Sequence, residues 1–181
     1  MTTTTSRDTR LERLFEATDV NADGYVEWAD HQLIVERILD AYKTERDGQE
    51  GQALKAAYAM AWQEVRRHAG GKERLNKAEY TAALRATVLD TSRFNLVEAL
   101  PHAVFDIIDT DGDGLIDKGE YQRWLEVWDI TAPDAMNVFH ALDTDGDGTI
   151  SRQESVRSWR EFFLSDDPRA AGTLFFGTPA F

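Results

Sequence analysis

The sequence contains no cysteine among its 181 residues, which excludes disulfide bonds, thiolate metal sites and cysteine catalysis. Positive charge is also scarce, since 20 Lys and Arg stand against 33 Asp and Glu and give a formal net charge of −13. A surface of this sign repels nucleic acid and anionic membranes, so we expect neither as a partner. No apolar run reaches the length of a membrane span, and the polar opening MTTTTSRDTR does not resemble a secretory signal. We therefore expect a cytoplasmic protein.

Apolar residues recur at helical spacing along almost the whole chain. The most regular segment buries a face made of Leu54, Ala57, Tyr58, Ala61, Trp62 and Val65. Eight such segments can be followed, and no strand of ordinary length is visible. The pattern predicts an all-α protein with eight helices in four helix–loop–helix units, divided into two pairs by a short polar segment at residues 90–95.

Three loops between paired helices align without gaps: DVNADGYVEWAD (residues 19–30), DTDGDGLIDKGE (109–120) and DTDGDGTISRQE (143–154). Asp or Asn occupies positions 1, 3 and 5, Gly position 6, a β-branched apolar residue position 8 and an acid position 12. Together the loops hold 13 carboxylates within 36 residues, and such clustering indicates a cation among them. Ca²⁺ takes about six to eight oxygen ligands, which side chains at alternating positions of a wrapped loop can supply. Position 6 needs a backbone conformation that Gly adopts at low cost.

The loops predict three Ca²⁺ sites, each formed by the side chains at positions 1, 3, 5 and 12 and the backbone carbonyl at position 7. The ligands of the first site are Asp19, Asn21, Asp23, Tyr25 and Asp30. Those of the third loop are Asp109, Asp111, Asp113, Leu115 and Glu120. Those of the fourth loop are Asp143, Asp145, Asp147, Thr149 and Glu154.

The first loop differs in its last ligand, because Asp30 is one methylene shorter than the Glu of the other loops. A shorter side chain is less able to reach the ion with both oxygens, and a smaller shell suits Mg²⁺ better. We therefore expect the first loop to be a mixed Ca²⁺/Mg²⁺ site.

Loops of this kind work in pairs that meet at position 8. In the C-terminal half, Ile116 should pair with Ile150. The partner of the first loop is a weaker match, HAGGKERLNKAE, which places Leu75 opposite Val26 but carries no carboxylate at positions 1, 3 and 5. Lys72 at position 5 would put a positive charge where the cation should be, so we expect this second loop to pair and to bind no metal.

The loops match the EF-hand superfamily at nearly every defining position. From about residue 8 to residue 181, the chain resembles the sarcoplasmic calcium-binding proteins and their bacterial relative calerythrin. The resemblance lies in four units with the second degenerate, in the Asp that closes the first loop, and in a tail ending DDPRAAGTLFFG. It implies a compact globule with both halves packed together, and a calcium-buffering role.

These features predict a disordered lead-in (residues 1–8), an N-terminal EF-hand pair (9–90), a C-terminal pair (91–165) and a tail (166–181) that docks on the core. The tail carries Leu174, Phe175 and Phe176, and three exposed apolar neighbours would be a liability. We therefore expect these side chains to dock in the groove between the halves.

The small number of methionines distinguishes a calcium buffer from a calcium sensor. Sensors expose Met-rich grooves when they bind Ca²⁺, whereas this chain has only Met60 and Met136 beyond the initiator. We therefore expect a monomeric buffer; the alternative is a sensor that regulates an unidentified partner protein. The sequence shows no paired nucleophile and general base that would indicate an enzyme. The four histidines share no common spacing, and we expect them at the surface or packed against other side chains.

Overall fold

The structure is a computed structural model that describes residues 6–130, 135–167 and 169–174. Within these ranges, eight α-helices and four very short strands confirm the all-α, four-unit architecture. The helices are α1 (Ser6–Thr18), α2 (Trp28–Tyr42), α3 (Gln49–His68), α4 (Lys77–Leu89), α5 (Leu96–Ile108), α6 (Lys118–Val127), α7 (Ala135–Leu142) and α8 (Arg152–Leu164). The strands are β1 (Tyr25–Glu27), β2 (Arg74–Asn76), β3 (Leu115–Ile116) and β4 (Ile150–Ser151).

Helix α5 is the most deeply buried helix because it is apolar around most of its circumference. It packs against α3 of the N-terminal half and against α8 of the C-terminal half. The helix begins at Leu96 and continues through Pro101, which lies in its second turn. A proline there removes one early backbone hydrogen bond, and the burial of its neighbours Leu100 and Val104 holds the helix together.

The loops are joined by two short antiparallel ladders, as the sequence predicts. Val26 lies opposite Leu75 in the β1–β2 ladder, and Ile116 lies opposite Ile150 in the β3–β4 ladder. All four side chains are fully buried. The predicted register is confirmed in both pairs.

The two halves share one hydrophobic core. Besides the contacts of α5, helix α2 packs on α6 and helix α1 on α8. Arg10 on α1 reaches across and donates from Nε to the backbone carbonyl of Phe162 at 2.9 Å. This packing agrees with the compact globule that the family resemblance implies.

The N-terminal lead-in is shorter than the sequence analysis predicted. Residues 6–8 belong to α1, and the charged side chains of Arg7 and Asp8 have partners elsewhere in the chain. Arg7 lies 3.5 Å from Asp166, and Asp8 forms an ion pair with Arg85 of α4.

The described part of the tail ends in a short 3₁₀ helix, Ala171–Leu174, that packs on α8. The backbone N–H of Gly172 donates to Oε2 of Glu161 at 2.8 Å. A Cβ atom at Gly172 would lie 2.2 Å from the carbonyl oxygen of Ser158, so only glycine allows this approach. The side chains of residues 174–176 lie outside the described part of the chain, and their docking stays a prediction. No helix in the described ranges is long and apolar enough to cross a bilayer.

Candidate metal centres

The acid at position 12 is fixed by the helix that follows the loop. Glu120 is the third residue of α6, and its Oε2 accepts the backbone N–H of Asp117 at 3.0 Å while Oε1 accepts that of Thr110 at 2.7 Å. Glu154 repeats this arrangement with Ser151 at 2.9 Å and Thr144 at 2.8 Å. Each carboxylate therefore completes a capping box and bridges the two ends of its loop. Oε1 of each glutamate also accepts a threonine hydroxyl at 2.7 Å, from Thr110 in the third loop and Thr144 in the fourth, so a bound cation would share these carboxylates with donors of the loop.

These hydrogen bonds keep Glu154 ionised. Burial alone would raise the pKa of the Glu154 carboxyl, but the bonds from Thr144 and Ser151 outweigh it and lower the pKa to about 2. A buried carboxylate that stays charged at neutral pH is the form that a hard cation requires.

The acid at position 1 anchors the turn of the loop. Oδ2 of Asp109 accepts the backbone N–H of Gly114 at 3.0 Å, and Gly114 has a φ of +85°, a conformation that favours glycine. Oδ1 of Asp109 is buried and has no hydrogen-bond partner among the described residues. A buried carboxylate oxygen without a donor is costly, and a cation in the loop would satisfy it.

Carboxylate oxygens converge in two of the loops. In the third loop, atoms of Asp109, Asp111 and Glu120 lie within 4.8 Å of one another. In the fourth loop, the same holds for Asp143, Asp145 and Asp147. Asp113 and Glu154 lie outside these clusters. Three carboxylates held this close repel one another unless a cation lies among them, so the residues present fit a bound Ca²⁺.

The first loop has the same framework with fewer charges at its centre. Asp19 accepts the backbone N–H of Gly24 at 2.8 Å, as Asp109 accepts that of Gly114. Asp30 is buried, and it accepts the backbone N–H groups of Val20 at 3.2 Å and Glu27 at 2.9 Å. The structure shows no cluster of three acidic groups here among the described residues, and position 3 carries a neutral amide.

Position 4 marks a second difference between the loops. Gly112 and Gly146 stand there in the third and fourth loops with φ of +73° and +74°, whereas the first loop places Ala22 in the same region at +55°. The left-handed conformation costs a non-glycine residue roughly 1–2 kcal/mol. The first loop is therefore built with more backbone strain than the other two.

The residue at position 7 makes the same backbone hydrogen bond in the first, third and fourth loops. The backbone N–H groups of Tyr25, Leu115 and Thr149 each donate to Oδ1 of the position-5 aspartate, at 3.0, 2.8 and 2.8 Å. These bonds hold the backbone at position 7, and the carbonyl of that residue, which the sequence assigns as a ligand, lies in the next peptide group.

In the second loop, a lysine side chain supplies the positive charge. The ammonium group of Lys72 at position 5 forms an ion pair with Glu79 at position 12. The hydrogen bond from Lys72 is the main cause that lowers the pKa of the Glu79 carboxyl. Glu79 still caps α4 through Asn76, so the loop keeps its structural role while a lysine lies against its closing acid.

One residue of this second loop was missed by the sequence analysis. Arg74 reaches across the ladder, and its guanidinium lies 2.8 Å from Oδ2 of Asp23 and 3.3 Å from Oε2 of Glu27, both in the first loop. The signal was present in the predicted register, because pairing Val26 with Leu75 places Arg74 opposite Glu27.

A protein-family model described as EF hand matches residues 102–125 and 137–154, which include all of the third and fourth loops and parts of their helices. The remaining two loops adopt the same paired helix–loop–helix geometry. The chain contains two EF hands. EF-hand loops bind Ca²⁺ through carboxylate and carbonyl oxygens, so the match agrees with the calcium binding expected from the sequence.

Several solved structures share the whole fold of this EF-hand protein. A calcium-binding protein from Streptomyces coelicolor, described in calcium-mediated regulation, is 24% identical with a TM-score of 0.71, over 88% of this chain and 98% of its own. A sarcoplasmic calcium-binding protein from amphioxus is 18% identical with a TM-score of 0.73, over 96% and 98%. Berovin, a ctenophore photoprotein whose three Ca²⁺-binding loops bind magnesium, is 21% identical with a TM-score of 0.70, over 86% and 87%.

These structures establish the fold over 86–96% of the chain. No curated protein sequence matches it. The structural similarity to a sarcoplasmic calcium-binding protein and to a bacterial calcium-binding protein agrees with the resemblance drawn from the sequence.

Proposed function

We propose that this EF-hand protein is a cytoplasmic calcium buffer with three metal sites, in the first, third and fourth loops. The observation that carries the proposal is the pair of carboxylate clusters in the third and fourth loops, where Asp109 retains a buried oxygen without a donor. The cytoplasmic location and the monomeric state stay predictions from the sequence.

The residues would hold the ion through the side chains at positions 1, 3, 5 and 12 and the carbonyl at position 7. The chemistry is cation binding alone: the carboxylates exchange mutual repulsion for attraction to a divalent ion. Three such ions would offset about half of the formal charge of −13. For buffers of this class, the best sites bind Ca²⁺ with a dissociation constant of about 10⁻⁹–10⁻⁸ M.

The first site is proposed to accept both Ca²⁺ and Mg²⁺. The short carboxylate of Asp30 supports this, because it is one methylene shorter than the glutamates that close the other two loops and is less able to reach the ion with both oxygens. Magnesium binding in the loops of the similar photoprotein berovin is a further support.

Burial of the helix faces favours a buffer over a sensor. The apolar faces of α3, α5 and α8 pack on one another across the two halves. Large apolar side chains that stay exposed in the described part of the chain are scattered over several elements and include one methionine, Met60. A groove that opens for a target helix would first have to break this shared core.

Dye binding distinguishes the two functions. A buffer should bind a hydrophobic dye such as ANS in chelator and lose that signal when Ca²⁺ is added, because the metal-free loops repel and loosen the core. A large rise of fluorescence on adding Ca²⁺ would instead identify a sensor. Circular dichroism in excess chelator measures the same transition, and unchanged helicity and melting would count against the buffer proposal.

The second candidate is a calcium sensor that regulates a partner protein. Exposure of Leu89 and Leu164 favours it, since they flank a small cleft between α1, α4 and α8. The similarity to a Streptomyces coelicolor protein of calcium-mediated regulation supports the same function. The dye experiment decides between the two candidates.

A further inference from the structure

Arg74 connects the loop that carries Lys72 to the first metal loop. Its guanidinium contacts two carboxylates of that loop, Asp23 at 2.8 Å and Glu27 at 3.3 Å. Its Cζ also lies 4.4 Å from the centre of the Tyr25 ring, within the range of a cation–π contact. The ladder register fixes the backbone of Arg74, and these three contacts fix the position of its side chain.

These contacts fall on metal-binding positions. Asp23 occupies position 5, and its Oδ1 accepts the backbone N–H of Tyr25 at 3.0 Å while its Oδ2 accepts Arg74 and the side-chain amide of Asn21 at 3.2 Å. An incoming ion would therefore share Asp23 with a guanidinium. Glu27 at position 9, which often acts through a water in such loops, is held by the same group.

The third and fourth loops have no equivalent group. Position 7 of their partners carries Leu115 and Thr149, which are uncharged. Among ion pairs between described residues, none involves a carboxylate of either loop. The arginine is therefore a local feature of the first site rather than a general property of the fold.

We propose that Arg74 is an internal counter-ion of the first loop, which offsets part of that loop's negative charge when no metal is bound and weakens its affinity for divalent cations. The inference rests on the proposed metal site in the first loop. Because the third and fourth loops lack the arginine, they fill first as Ca²⁺ rises, and the first loop fills last. The second loop, which has Lys72 where a metal should bind, thus sets the affinity of its partner.

The electrostatic size of the effect follows from Coulomb's law. A unit charge about 6 Å from a divalent ion at the protein surface weakens binding by roughly tenfold in a water-like dielectric, and by more where the site is shielded. Replacement of Arg74 by a neutral residue should therefore tighten the first site by about tenfold or more. The same replacement should lower the melting temperature of the metal-free protein, because Asp23 and Glu27 lose their partner.

The test is a Ca²⁺ titration of the full-length protein in competition with a chelator, followed by NMR at three backbone amides. Gly24, Gly114 and Gly148 each donate to the position-1 carboxylate of their own loop, and so report on the loops separately. Arg74→Gln should shift the midpoint of Gly24 to about tenfold lower free Ca²⁺ and leave the other two midpoints unchanged. Arg74→Lys, which keeps the charge but not the planar fork, should stay near wild type.

The matched control is Arg85→Gln. It removes the same charge from an ion pair between α4 and Asp8 of α1. If Arg74→Gln moves the Gly24 midpoint no further than Arg85→Gln does, the inference is wrong while the first metal site stands. A Gly24 amide that responds to Ca²⁺ only in Arg74→Gln would support the inference and contradict the three-site count. A Gly24 amide that responds in neither protein would overturn both.

Discussion

The hydroxyl of Tyr42, at the end of α2, donates a 2.8 Å hydrogen bond to the backbone carbonyl of Glu120. Tyr42 belongs to the N-terminal half, and Glu120 is the closing acid of the third loop. Burial of Tyr42 is the main cause that raises the pKa of its hydroxyl, which therefore remains a protonated donor at any physiological pH. One hydrogen bond thus links the third loop, in one half, to a helix of the other half.

Removal of this hydroxyl should weaken the contact between the halves. Tyr42→Phe keeps the ring but leaves the buried carbonyl of Glu120 without its donor, which costs about 1–3 kcal/mol of unfolding free energy. We expect this loss in urea denaturation of the calcium-loaded protein, together with weaker binding at the third loop. Equal unfolding free energies for the variant and the wild type would show that the hydrogen bond contributes nothing.

The number of metal sites can be counted by changing the same position in three loops. Glu120→Gln and Glu154→Gln should each remove one Ca²⁺ from the calorimetric stoichiometry, because each neutralises the acid that closes its loop. Glu79→Gln is the matched control, since Glu79 already pairs with Lys72, and it should leave the count unchanged at three. A count of two or four in the wild type, or a site lost in Glu79→Gln, would contradict the proposed sites.

Selectivity at the first loop should depend on the length of its closing acid. Asp30→Glu adds the methylene that the other two loops have, so that the carboxylate can reach the ion with both oxygens. We expect the ratio of Ca²⁺ to Mg²⁺ affinity at this loop to increase, measured by calcium titration at several fixed magnesium concentrations. An unchanged or lower ratio would refute the assignment of a mixed site.

The tail should contribute to stability through the close packing of Gly172. Gly172→Ala would place a methyl group 2.2 Å from the carbonyl oxygen of Ser158, so the 3₁₀ helix would have to move away from α8. Thermal unfolding should show a lower melting temperature for this variant, and deletion of residues 170–181 should lower it at least as much. If neither change alters the melting temperature, the tail does not stabilise the core.

Much of the fold follows from local patterns that the sequence displays. Helix faces repeat at fixed spacing, and position 8 of each loop fixes the ladder register, so Val26 opposite Leu75 could be predicted without coordinates. The closing acids could be placed as well, because a residue three positions into a helix both caps it and faces the loop.

The relationships that the sequence did not disclose join residues far apart in the chain. Tyr42 and Glu120, for example, are 78 residues apart. Such contacts depend on how helices pack rather than on any period. The start of α1 was missed for the same reason. Residues 6–8 are polar and resemble a tail in the sequence, and their contacts with Asp166 and Arg85 are visible only in the folded chain.

The last prediction concerns His31, whose imidazole is buried against aromatic rings next to the first metal loop. Its ring centre lies 4.9 Å from that of Trp62, and its Nδ1 has no hydrogen-bond partner among the described residues. Burial lowers the pKa of His31 to about 4, from an ordinary value of 6.5. Between pH 6.5 and pH 4 the unfolded chain therefore binds a proton at His31 that the folded protein does not bind. The contribution of neutral His31 to the unfolding free energy is fully present above pH 6.5 and is lost as the pH falls towards 4.

Between pH 7 and pH 5 this one group should remove on the order of 2 kcal/mol of unfolding free energy. His31→Phe keeps an aromatic ring against Trp62 but cannot be protonated. In saturating Ca²⁺, the variant should lose less stability than the wild type over this interval, while the contribution of the carboxylates stays common to both. Denaturation at the two pH values measures the difference directly. If the unfolding free energies of the two proteins depend on pH in the same way, His31 is solvated or already protonated in the folded state. The aromatic pocket beside the first loop would then be open to water.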